Sequence, residues 1–330
     1  MQPAVRRAAI WAVLSTLGVA IAPIRALVAQ ELPPIYETVP VALVPAEAIA
    51  QLPVNTFLEN VVTDAAGTLY ITSHEDGKIL QVLPGQEPTV YASVDGKVAG
   101  IALTEAGQLL VSGADPSGLA TLFLIAAGGA VETLATLPDA IFLNGVTHLA
   151  GDRYLIADSY KGAIWEVDLA TKATRLWLEH PLLARRSADS PIPAVNGLKR
   201  QGNLLYVSNT DQQLMVTIPI DAMGAAGTPT VLIEQVNIDD FAFDARGNLY
   251  GATHIYNSVV KISPDGVVTT IAEIEAGMTG STALAFGKTA GDRTSLYVVT
   301  NGGMFLPPPE GVLPAQIVRL EVGEKGASLD

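Results

Sequence analysis

The chain has 330 residues, 49% of them apolar and only 6% aromatic, a composition that supports a sizeable buried core and argues against disorder. Its formal charge of -14 is repelled by nucleic acid and by anionic membrane surfaces, so neither is an expected partner. Without cysteine there are no disulfides, thiolate metal sites or cysteine nucleophiles, and stability must come from packing.

Residues 1–29 read as an export signal. Arg6 and Arg7 precede the apolar run AAIWAVLSTLGVAIA, and small residues around Ala26 and Ala29 offer a cleavage site after Ala29. The run is short and broken by Pro23 and Arg25, which disfavours a retained anchor, and no second stretch of spanning length follows. The expected protein is therefore exported, periplasmic or extracellular, monomeric, and without a membrane span after cleavage. Loss of Arg6, Arg7 and Arg25 would take the charge from -14 to -17.

From residue 60 onward one phrase recurs: a short apolar strand, a turn with Gly, Asp or Asn, and a second strand ending in polar residues. It appears as NVVTDAAGTLYITSH from 60, GIALTEAGQLLVSG from 100, GVTHLAGDRYLIADS from 145, GLKRQGNLLYVSNT from 197, DFAFDARGNLYGATH from 240 and ALAFGKTAGDRTSLYVVTN from 283. The starts lie 40, 45, 52, 43 and 43 residues apart, and further β-rich runs such as KILQVLP and AIWEVDL follow each phrase. About four strands per unit is the content of a propeller blade. The predicted fold is all-β: a single six-bladed β-propeller over residues 30–330, closed by pairing of N- and C-terminal strands. The last unit lacks an outer strand after QIVRLEV, and YETVPVALVP is expected to supply it. Two longer connections, residues 180–195 and 302–315, read as surface loops or as lids over the mouth.

Aligning the phrases puts Glu59, Ala99, Asn144, Asn196, Asp239 and Thr282 in one register just before each innermost strand. Ring symmetry should bring such positions together at the mouth. Glu59, Asn144, Asn196 and Asp239 carry oxygens of the kind that calcium, or another hard divalent cation, accepts. A structural alternative is that each caps a turn. Zinc or copper suits the chain less, because of its four histidines only His148 lies within an innermost-strand phrase and the N- and S-rich ligands those metals prefer are lacking. The ends of the second strands give a second ring, His74, Asp158, Asn209, His254 and Asn301, which with Thr282 forms a candidate substrate shell. His254 is a candidate general base, and Asp239 could share that work. His148 could face the channel or the blade interior. No GxSxG elbow, phosphate-binding GxxxxGK[ST], HExxH or dinucleotide fingerprint is present.

At these residues the chain resembles the senescence marker protein/gluconolactonase (regucalcin-like) family of calcium-binding six-bladed propellers. In that family a Glu of the first blade, two Asn of middle blades and an Asp of a later blade hold the metal. By motif match these fall on Glu59 in FLENVVTD, Asn144 in FLNGVT, Asn196 in VNGLK and Asp239 in IDDFAFD. The phrases FLNGVT, IADSYKGAIWEVD, IDDFAFDARGN and DRTSLYVVT are similar to an NHL-like branch that includes fungal hetero-Diels-Alderase-like proteins. Nothing matches the arginine with which gluconolactonases hold a sugar acid; Ala99 and Gly100 stand near that place.

The resemblance implies a calcium-dependent lactonase- or esterase-like hydrolase acting on a small organic molecule. Two alternatives stand beside it: a pericyclase-like or isomerase pocket, and a non-catalytic periplasmic propeller that grips a ligand or protein.

Overall fold

The computed structural model describes residues 32–327, so the expected export signal lies outside the described residues. Among the described residues, 24 strands form six four-stranded antiparallel sheets, and the only helical segments are two short 3-10 turns. The chain is a six-bladed β-propeller.

The first blade shows how the phrase becomes structure. Strand β2 (Leu58–Thr63) pairs with β3 (Leu69–Ser73), then β4 (Lys78–Val82) and β5 (Thr89–Ser93). The turn between β2 and β3 is set by Asp64, whose Oδ1 accepts the N–H groups of Ala66 and Thr68 at 2.9 and 2.8 Å. Burial falls from the inside out: β2 is buried almost throughout, whereas β5 is mostly exposed.

The innermost strands of the other blades are β6 (Lys97–Leu103), β10 (Leu143–Ala150), β14 (Val195–Gln201), β18 (Phe241–Phe243) and β22 (Ser281–Phe286). Successive residues of a strand face opposite sides, so each blade packs against both neighbours. In β11 (Arg153–Asp158), Leu155 and Ala157 join one core with Leu198 and Val207 of the fourth blade. Tyr154 and Ile156 join another with Leu110 and Leu122 of the second.

The sixth blade closes the ring as expected in kind, with a different segment. Its outer strand is β1 (Ala46–Val54), paired antiparallel with β24 (Pro314–Glu321). The segment YETVPVALVP lies just ahead of it, against the fifth blade: Ala42 and Val44 donate to the carbonyls of Thr270 and Ile271. Pro40 and Pro45 lack the N–H groups a full ladder needs, which suits this stretch to a short bridge. No helix among the described residues is long and apolar enough to cross a membrane.

Candidate metal centre at the propeller mouth

The strand pairing explains how the six register positions leave the sheets. In five blades the ladder slips across them: between Leu58 and Asn60, Val98 and Ile101, Leu143 and Val146, Val195 and Leu198, and Ser281 and Ala283. In the fifth blade pairing begins only at Phe241, after Asp239. Irregularities of this kind re-aim a side chain out of its ordinary alternation.

Adjacent blades are laced together at the same level. Thr72 Oγ1 donates to the Ala99 carbonyl at 2.6 Å, Ser112 Oγ to that of Asn144 at 2.6 Å, and Ser208 Oγ to that of Asp239 at 2.8 Å. Close approach also explains the glycines after two asparagines. A Cβ on Gly145 would strike the Asn196 carbonyl, and one on Gly197 would meet Asp240 Oδ1 at 2.5 Å.

Glu59, Asn144, Asn196 and Asp239 are 7%, 2%, 4% and 4% exposed, which argues against ordinary surface turn caps. The Asn144 side chain hydrogen-bonds the Glu59 carboxyl. Asn196 Nδ2 donates to Asp239 Oδ1 at 2.5 Å. Glu59 Oε2 is buried and makes no hydrogen bond. Burial, and then the charges of Asp239 and Asp240, hold the Glu59 carboxyl well above the usual carboxylate range. A cation would relieve both the unsatisfied oxygen and the crowded negative charge, so these residues fit a hard divalent ion. No group of three or more His, Cys, Asp or Glu side chains suited to a metal is found among the described residues; this set has two carboxylates and two amides instead.

His254 Nδ1 lies 2.9 Å from Asp239 Oδ2. Asn301 Oδ1 accepts the N–H groups of Gly303 and Met304 at 2.9 and 3.2 Å, which turns its amide NH2 to His254 Nε2 at 2.8 Å. That network assigns Nε2 as acceptor and Nδ1–H as the donor to Asp239. His254 reaches this place with φ 47, a left-handed conformation that costs a non-glycine residue about 1–2 kcal/mol. Its N–H is fixed on the Ser281 carbonyl at 2.8 Å.

The second ring divides. His254 meets Asn301 and, across Phe57, His74, but Asp158 and Asn209 turn away from them into mostly backbone partners. Asp158 accepts from the Ile141 and Phe142 N–H groups and from Trp165 Nε1. Asn209 holds the carbonyls of Leu182 and Ala184, tying down the connection over residues 180–195. The two stand one residue short of the His74 register, and the strand period of two sends them the other way. Thr210, the neighbour of Asn209, takes that place and accepts from Asn196 Nδ2 at 3.2 Å. Thr282 Oγ1 donates to the carbonyls of Leu58 and Val299, joining the sixth blade to the first. His148 lies away from the mouth, with Nε2 on the Gly151 carbonyl.

Sequence reasoning missed an aromatic arc. Tyr160, Phe142, His74, Phe57, Phe305 and His254 form an unbroken series with ring centroids 5.2–6.0 Å apart. Phe57 and Phe142 each stand two residues ahead of a register position, which is the signal that would have found them. Phe305, from the connection over 302–315, is 56% exposed.

A family model for the SMP-30/gluconolactonase/LRE-like region matches residues 57–302. A "putative hetero-Diels-Alderase" from Phoma sp. is 28% identical over 322 residues, covering 83% of this chain and 90% of that protein. Among solved structures, a luciferin-regenerating enzyme superposes with TM-score 0.67 at 18% identity, covering 86% of this chain and 97% of the other. A calcium-binding regucalcin from Agrobacterium tumefaciens gives TM-score 0.63 at 18% identity, with 87% and 96% covered.

Proposed function

The chain belongs to the SMP-30/gluconolactonase/LRE-like family, and from that premise we propose that it is a calcium-dependent, lactonase-like hydrolase of small organic esters. The observation that carries this reading is the buried Glu59 oxygen without a partner beside Asp239, itself held by His254. Glu59, Asn144, Asn196 and Asp239 would hold the ion, which when bound supplies Lewis-acid polarisation of an ester carbonyl.

The chain's own groups do the rest. Asp239 Oδ2 takes a proton from water as the water oxygen bonds to the acyl carbon. The acyl–oxygen bond breaks, and the proton passes to the departing alkoxide, giving a carboxylic acid and an alcohol, which for a lactone are the two ends of one hydroxy acid. His254 orients Asp239 through Nδ1–H, because its Nε2 lone pair is engaged by Asn301. An ester and lactone panel tests this: Asp239→Ala should abolish turnover, and His254→Gln should lower kcat by about 10²-fold. Turnover retained in Asp239→Ala would overturn it.

A second reading, pericyclase-like ring closure, is favoured by the aromatic arc and by the Phoma relative. Rings can hold an unsaturated substrate in a reactive pose without moving a proton. Under that reading Phe57→Ala lowers turnover while His254→Gln leaves it nearly unchanged. Calcium stabilisation with no turnover on any substrate would point instead to a binding propeller. We further propose that residues 1–29 direct export, which signal-dependent secretion of a reporter fusion would check.

A further inference from the structure

One residue deeper than the register positions, the channel holds a third carboxylate and an ammonium. Asp240 is 3% exposed. Its Oδ1 accepts from Lys199 Nζ at 2.6 Å and its Oδ2 from Asn60 Nδ2 at 3.3 Å. Asn60 belongs to the first blade, Lys199 to the fourth and Asp240 to the fifth, so the three side chains bridge blades that are not all neighbours.

Lys199 is an exception at its own level. It pairs with Tyr206 across its blade, and the equivalent residues of the other blades are Val62, Ala102, Thr147, Ala242 and Ala285. None of those is charged. The Lys199 side chain is 17% exposed, with Nζ 5.5 Å from the Phe241 ring centroid. A half-buried ammonium at a single blade needs a reason, because drawing a lysine out of water costs free energy unless a carboxylate compensates it.

The charges at the mouth supply the reason. With an ion bound and Glu59 ionised, Glu59, Asp239 and Asp240 would bring -3, and Lys199 would return the sum to -2, the charge that one divalent cation balances. We infer that Lys199 is an internal counter-cation: by neutralising Asp240 it sets the centre to accept a single divalent ion and to disfavour trivalent ones. This inference rests on the metal reading proposed above. Lys199 acts through Asp240, to which its Nζ is bound, so it is a positioning and specificity residue.

Calorimetric titration with calcium and with terbium(III) tests it, alongside thermal melts that confirm folding. Wild type should take up one calcium per chain. Lys199→Met leaves three carboxylates and should raise affinity for terbium relative to calcium by at least about tenfold. Asp240→Asn leaves the ammonium uncompensated and should weaken calcium binding by at least about tenfold. The double variant Lys199→Met/Asp240→Asn removes both charges, restores the sum and should return calcium affinity close to wild type. Lys199→Arg, which keeps the charge, should bind as wild type does, and with the double variant it carries the test if Lys199→Met does not fold. Wild-type calcium binding with unchanged affinities in the single variants, or no recovery in the double, would overturn the inference and leave the metal reading standing. Absence of calcium uptake by wild type would remove both.

Discussion

At the scale of single residues, Glu59 is where the fold works against itself. Its carboxyl is buried, one oxygen lacks a partner, and Asp239 and Asp240 add like charge. In chelator, Glu59→Gln should therefore stabilise the protein at neutral pH, by about 1–3 kcal/mol. In calcium the same change should abolish the rise in Tm that wild type shows. Melting curves with and without calcium check both halves. His74 gives a pH dependence. Burial lowers its pKa below 6.5, against the opposing pull of the Val98 carbonyl at 2.7 Å. The unfolded chain then binds the proton more readily, so stability is lost as pH falls from about 6.5 towards the lower folded value. His74→Asn should flatten the fall in Tm between about pH 7.5 and about pH 5.5.

At the scale of elements, the repeats made the blades legible because each carries its own turn chemistry and alternation. The register of the mouth was legible for the same reason: Glu59, Asn144, Asn196 and Asp239 share one offset, and the ladder slips there in blade after blade. What the phrases hid were one-residue slips. Asp158 and Asn209 end their strands with the right residue types but in the opposite facing, and only the cross-strand pairing reveals it. Lys199 and Asp240 were hidden because their partners come from other blades. The closing strand was anticipated, but Ala46–Val54 takes the place given to the preceding segment. If β1 relieves an exposed edge, a chain beginning at residue 55 should melt at lower temperature and self-associate with concentration through β24. Light scattering and thermal melts check this, and an unchanged monomer with an unchanged Tm would contradict it.

At the scale of the whole molecule, residues far apart in sequence meet because the ring returns each blade to a common axis. From Glu59 to Asp239 the chain runs through four blades, yet Asp239 is close enough to raise the Glu59 carboxyl. The chain's charge of -14 adds a long-range attraction for cations, strongest at low salt. The most direct test of the account is a crystal structure grown with calcium, or with terbium as an anomalous scatterer. The predicted result is one ion at the mouth, bound by oxygens of Glu59, Asn144, Asn196 and Asp239. An ion held elsewhere, or a mouth that stays without one at saturating calcium, would contradict it.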